Sequence, residues 1–237
     1  MSSQGTEARA EILRSIRSHL AESVIHDQRE AAGHPNVPLP LVTPINGDQK
    51  KESVVELFKE SLEAVDGHCV VAHNETEIVQ ALTKIIADLQ KTRLRARCLA
   101  ISDRGSVGRL VQMIDGDVDE LEVTPSAADL FRFDVGITTA QAGIAETGTL
   151  VLDSSQERHR LVSLVPPVHI AILDSNKIYR TLGETLSVLH SAGAELSPII
   201  TFVSGPSRTA DIELTLAIGV HGPQELFVIV NDAPPLS

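Results

Sequence analysis

Two stretches of the chain hold the residue types from which a ligand site is built. The first, S-G-P-S-R-T from Ser204 to Thr209, follows an apolar run, Ile199 to Val203. Ser204, Ser207 and Thr209 offer hydroxyls, Arg208 offers a planar fork suited to phosphate or carboxylate, and Gly205 lets backbone amides approach a bound group. The residues that follow are expected to open a short helix, whose unpaired amides would add to a positive site. Asp211 and Glu213 stand just behind, and the segment closes on G-V-H-G-P, which contributes His221. This chemistry selects a small anion. The bland alternative is an ordinary turn, which uses the same Ser, Gly, Pro and Thr, with an Asp that only complements a helix dipole.

The second stretch, A-Q-A-G-I-A-E-T-G-T-L-V-L-D, runs from Ala140 to Asp153. Glu146 is the only charged residue between Asp134 and Asp153, so an apolar neighbourhood is expected around it. Burial would raise its carboxyl pKa and suit it to acid–base or nucleophilic work. Thr147 and Thr149, on either side of a glycine, would leave room for a ligand beside it. The competing reading is a turn glutamate that points to water. The two stretches form one site only if the fold brings them to the same crevice.

The elements that must position them read as alternating strands and helices. A helix is expected from Glu52 to Val65, stopped by Asp66-Gly67, then a strand from His68 to Ala72. Asn74 and Glu77 have the spacing of a capping box at the head of a second helix, whose stripe is Ile78, Leu82, Ile85, Ile86 and Leu89. Strands follow at Cys98–Ser102, Asp117–Val123, Phe133–Ile137 and Thr149–Leu152, with a turn into a helix after Asp103. Beyond the Pro166-Pro167 break comes a buried strand in which His169 alternates with apolar neighbours, expected as a hydrogen-bonded core histidine. Thr181 and Glu184 cap a further helix, and Glu225 to Val230 is the last strand. Short strands apolar on both faces imply an α/β domain, with a mostly parallel sheet and helices on both faces. In such sheets ligands gather beyond the carboxyl ends of the strands.

Before that domain, residues 6–29 have the four-residue apolar recurrence of an amphipathic helix, and Pro35, Pro38, Pro40 and Pro44 make an extended strap. The expected division is an arm and strap over 1–50 and an α/β domain over 51–237. The arm requires an apolar surface on its own domain, on a second copy in a homo-oligomer, or on a different subunit.

Composition removes several classes. A chain of 237 residues with 42% hydrophobic content can bury a substantial core. Its net charge of -12, with no Trp, one Tyr and five Phe, argues against a nucleic-acid partner, which needs basic surface and stacking platforms. Cys69 and Cys98 lack the spacing of a zinc or iron–sulfur site, so no metal or cofactor is expected in this chain. The N-terminus has no signal core and no apolar run approaches the roughly 20 residues of a membrane span. A cytoplasmic protein is the expectation.

G-I-A-E-T-G-T-L from Gly143, the set Arg160, Ser163, Pro166 and His169, and S-G-P-S-R-T-A-D-I-E with G-V-H-G-P resemble the LUD-domain family, that of lactate utilisation protein C. The resemblance covers most of the chain after Glu52. It implies a NagB/RpiA/CoA transferase-like fold and membership of a three-protein system oxidising L-lactate to pyruvate. Iron–sulfur clusters would belong to the partner subunits, and this chain would be the cluster-free accessory member binding a small anionic molecule. The alternative is a free-standing enzyme acting on an acyl thioester or phosphorylated small molecule, with Glu146 as nucleophile or base.

Overall fold

The computed structural model describes residues 13–15, 17, 48–102, 105–154, 160–191, 197–210, 216–218 and 222–233. The chain divides into two compact units, Met1–Thr43 and Pro44–Ser237. In the first, residues 13–15 and 17 are helical. The rest of the expected arm, and the proline strap as far as residue 47, lie outside the described residues.

The second unit opens with helix α1, Asp48–Glu63. Its end is a left-handed turn at Asp66, φ 61°, after which the Gly67 amide reaches back to the Leu62 carbonyl at 2.9 Å. This is a Schellman-type stop with an aspartate in the position usually held by glycine. Strand β1, His68–Ala72, leads to α2, Glu75–Gln90, whose expected capping box is present. The Glu77 amide donates to Asn74 Oδ1 at 2.9 Å, and the His73 amide donates to Glu77 Oε2 at 2.8 Å. Next come β2, Cys98–Ile101, α3, Gly105–Gln112, β3, Glu120–Val123, and β4, Val135–Ala140.

After β4 the chain leaves the main sheet. It makes β5, Ala142–Ile144, a 3₁₀ turn at Ala145–Thr147, and β6, Thr149–Asp153. It returns as β7, Val168–Asp174, and goes out again through a 3₁₀ turn at Ser175–Lys177, β8, Ile178–Tyr179, and α4, Leu182–Ser191. β9, Ile200–Ser204, precedes a hairpin of β10, Arg208–Ala210, and β11, Leu216–Ile218, before β12, Glu225–Asn231, closes the domain.

The main sheet has six strands in the order β1-β12-β7-β4-β2-β3, with every pairing parallel. Its central strands read as near-continuous apolar runs because both faces are covered. On one face α2 and α3 bring Ile78, Leu82, Ile86, Val107 and Leu110 against Ile101, Val135, Ile137, Ile170 and Ile172. On the other, Phe58 and Leu62 of α1 join Leu150 and Leu152 of β6 over Leu173, Leu226, Val228 and Val230.

The second sheet, β8-β5-β6-β9, is mixed, with β5 and β8 parallel and the other two pairings antiparallel. The expected α/β architecture with a mostly parallel sheet is therefore present, but one face of that sheet is covered by this smaller sheet together with α1. Among the described residues, no helix is long and apolar enough to cross a membrane.

Candidate functional site

The two stretches that the sequence singles out meet in the smaller sheet. β6 and β9 are antiparallel neighbours in a register that sets Thr149 opposite Ser204. Their hydroxyls are hydrogen-bonded at 2.6 Å, and Thr149 in turn bonds to the Thr147 hydroxyl at 2.7 Å. Thr149 is buried, whereas Thr147 and Ser204 are exposed at the two ends of the chain. Three hydroxyls joined by two hydrogen bonds leave one O–H uncommitted, and when both bonds run in the same direction it lies at Thr147 or at Ser204. The arrangement can thus donate to an acceptor oxygen outside the protein, or pass a proton along its length.

The platform beneath both loops is the end of α1. Gly148 has φ 59°, and a Cβ there would lie 2.2 Å from the Leu62 amide nitrogen and 2.4 Å from its Cα. Gly205 has φ 77°, and a Cβ there would lie 2.5 Å from the Val65 carbonyl oxygen. Each loop touches backbone where no side chain fits, Gly148 against the last turn of α1 and Gly205 against the turn that follows it, so this one stretch sets the position of both. The sequence suggests Gly205 as a residue that admits a ligand; its close neighbour is instead the protein's own backbone.

Three expectations about side chains need correction. Glu146 is exposed, not enclosed by apolar groups, because the 3₁₀ turn carrying it projects from the end of the β5–β6 hairpin. Its Oε1 accepts the Leu182 amide at 2.9 Å, so the carboxylate caps the first turn of α4 from 36 residues away. The sequence could not show this, since the partner amide is remote. Removing a helix-capping acceptor costs about 1 kcal/mol. Glu146→Ala is expected to lower stability in urea titrations by that amount, while Glu146→Gln, which keeps an acceptor oxygen, should stay close to the parent.

The helix expected after Ser204 is the β10–β11 hairpin, with Arg208 opposite Ile218. Strand pairing consumes the backbone groups that a helix N-terminus would have left open, and the Ser207 amide donates to the Pro223 carbonyl at 2.8 Å. Arg208, expected to await an anion, is ion-paired with Asp66 just beyond α1. The pair borders a cavity of about 430 Å³ that also includes Glu63, His68 and Glu225, so carboxylates outnumber cations around it.

The structure therefore joins Thr147, Thr149 and Ser204, holds Gly205 beside them, and turns Ser207 and Arg208 towards Pro223 and Asp66. Thr209 lies in β10, and Asp211 and His221 lie outside the described residues. His169 is a core residue as expected, fully buried, with Nε2 2.9 Å from the Thr138 hydroxyl.

Sequence reasoning passed over a polar rim along the carboxyl ends of the parallel strands. Asn231 donates to Asp174 Oδ1 at 3.0 Å, Ser175 donates to Asp232 at 2.6 Å, and His73 lies 3.6 Å from Asp232. The signal was present in the polar residue that ends each apolar run, such as Asp174 after Val168 to Leu173. Among the described residues, no group of three or more His, Cys, Asp or Glu side chains could hold a metal ion.

Comparison with known proteins agrees with this architecture. Residues 55–230 match the family model of the LUD domain. An uncharacterised protein of Neisseria meningitidis serogroup B is 37% identical over 54% of this chain and 57% of its own length. Lactate utilization protein C of Halalkalibacterium halodurans is 41% identical over 42% of this chain and 45% of its own. The chain spans about half the length of these and similar curated relatives. Lactate utilization protein C of Bacillus subtilis is matched more fully, at 30% identity over 70% of this chain and 76% of that protein. A crystal structure of a DUF162 family protein from Deinococcus radiodurans shares the fold, with a TM-score of 0.56 and 21% identity, covering 79% of this chain and 99% of that one. With a match running from the middle of α1 almost to the end of β12, the chain belongs to the LUD domain family and is a homologue of lactate utilization protein C.

Proposed function

We propose that the protein is a cytoplasmic accessory subunit of an L-lactate-oxidising system, and that its hydroxyl chain at Thr147, Thr149 and Ser204 receives an acceptor oxygen of a small anion. The names of its relatives support the pathway, and the single observation that carries the site is the Thr149–Ser204 hydrogen bond between two segments 55 residues apart. A buried hydroxyl bonded on both sides to exposed hydroxyls is an arrangement for presenting a donor at the surface. In this reading the iron–sulfur clusters belong to partner subunits, which this chain serves without redox groups of its own. Kinship to the NagB/RpiA/CoA transferase-like fold group is part of the same proposal, supported by the parallel sheet. The engagement of Glu146 as a helix cap weighs against the alternative in which it acts as a nucleophile.

The test is complementation. In a strain lacking the gene, the wild-type chain should restore growth on L-lactate and co-purify with iron–sulfur proteins under anaerobic conditions. The double variant Thr149→Val, Ser204→Ala should fold but restore growth at least tenfold less well. Full growth without the chain, together with no co-purifying iron–sulfur protein, would refute the accessory role.

A further inference from the structure

We infer that the protein forms a two-fold dimer in which β1 pairs antiparallel with β1 of a second copy, joining two six-stranded sheets into one. The main sheet ends in β3 on one side and β1 on the other, and these edges are built differently. On β3, four residues long, Glu120 and Glu122 alternate with Leu121 and Val123. Arg132 answers both carboxylates, at 3.3 and 3.7 Å. Short length and charge keep a sheet edge from pairing with another chain. Antiparallel self-pairing of β3 centred on Leu121 would set Glu120 opposite the partner's Glu122, and like charges so placed are destabilising.

β1 lacks these safeguards. It is five residues long, H-C-V-V-A, with no Lys, Arg, Asp or Glu. Among the described residues it has β12 on one side and no strand on the other. Val70, at its centre, is 39% exposed and lines a cavity of about 590 Å³ with Ala81, Ile85 and Leu89 of α2, Leu94 and Phe227. The apolar cluster that α2 makes with the sheet therefore reaches solvent at this edge. An uncharged strand edge beside exposed apolar surface invites another strand.

Sequence and charge make a second copy the occupant. With the axis at Val70, that residue faces the partner's Val70, Cys69 faces the partner's Val71, and His68 faces the partner's Ala72. No like charges meet along the strand. The whole chain carries -12, yet the surroundings of the cavity are balanced. Glu63, Asp88 and Glu225 are matched by Lys84, Arg93 and Lys91, the last 2.8 Å from Asp88. Two copies can therefore approach here without the repulsion that so large a net charge imposes elsewhere. Such an axis closes the assembly at two chains, whereas β1 laid on β3 of a neighbour would propagate without end.

The experiment is sedimentation equilibrium of the full chain, with one disruptive and one crosslinking substitution in β1. The wild type should sediment at twice the 25.4 kDa of a single chain. Val70→Lys sets like charges across the axis and should raise the dimer Kd at least tenfold. Val123→Lys on β3 and Phe202→Lys on β9, at the edge of the smaller sheet, should leave the Kd unchanged. Residues directly opposite in antiparallel strands have Cα atoms about 4.5–5.5 Å apart, within disulfide reach. In a Cys69→Ala, Cys98→Ala background, Val70→Cys should therefore yield a reducible dimer on mild oxidation, and Val123→Cys should not. Circular dichroism establishes that each variant folds. A wild type that stays monomeric at every concentration would overturn the proposal and leave the edge to a different protein. A dimer unmoved by Val70→Lys, or crosslinked through Val123→Cys and not through Val70→Cys, would also overturn it, because the copies would then meet elsewhere.

Discussion

Gly148→Ala should be among the most damaging single-methyl additions in the domain, costing about 3 kcal/mol or more. The added Cβ would meet the Leu62 amide nitrogen at 2.2 Å and the Ser61 carbonyl carbon at 2.6 Å, and these are backbone atoms of α1 that cannot rotate aside. Overpacking of this kind costs ~1–3 kcal/mol, and a non-glycine residue in the left-handed region adds ~1–2 more. The result should be a lower urea midpoint together with loss of register at Thr149 and Ser204, because both loops rest on the end of α1 and the turn that follows it. Gly183→Ala is the control. Its nearest neighbour would be the Thr181 hydroxyl at 3.9 Å, and it lies in α4, where alanine is favoured by about 0.5 kcal/mol. A Gly148→Ala protein within about 0.5 kcal/mol of the parent would mean that α1 is not the platform described.

Acid should destabilise the domain through His169, and the effect should vanish when that residue cannot titrate. Burial pushes its pKa from 6.5 down to about 3. Protonation would add a second donor to a ring whose Nδ1 has no partner among the described residues, while Nε2 already faces Thr138. The folded protein therefore keeps the ring neutral where the unfolded chain protonates it. Stability from this source is complete above pH 6.5 and is lost as pH falls towards 3. The loss is about 2 kcal/mol at pH 5 and approaches ~4 kcal/mol near pH 3. Urea titrations of wild type and His169→Gln at pH 7 and pH 5 should show a difference in pH dependence of about 2 kcal/mol. Identical pH dependence in the two proteins would place the acid sensitivity elsewhere.

What could be read in advance divides along a physical line. Local signals were reliable: the Asn74/Glu77 box, the stop at Asp66-Gly67, the Thr181 hydroxyl that accepts the Glu184 amide, and the apolar run of β7 are all present. Each depends on residues within a few positions of one another. The failures involve distant partners. Glu146 read as buried because its sequence neighbours are apolar, yet the turn projects it to the surface and an amide from α4 claims it. Arg208 read as unpaired because Asp66 is 142 positions away, and the segment after Ser204 read as a helix because its strand partner was out of view. The meeting of Thr149 with Ser204 was posed as a condition and depended on β6–β9 pairing, which composition cannot specify. Thr149–Leu152 is legible as a strand, but the smaller sheet as a whole is not, because β5 and β8, three and two residues long, look like turns until they pair.

The position of β12 bears on how the protein is made. It lies between β1 and β7, hydrogen-bonded to both, so β1 has no sheet neighbour until the ribosome has delivered residues 157 positions further on. At typical elongation rates that interval is on the order of 10–30 s. Throughout it the nascent chain exposes an unpaired strand edge, and a transcript cut short before Glu225 would leave that edge open permanently.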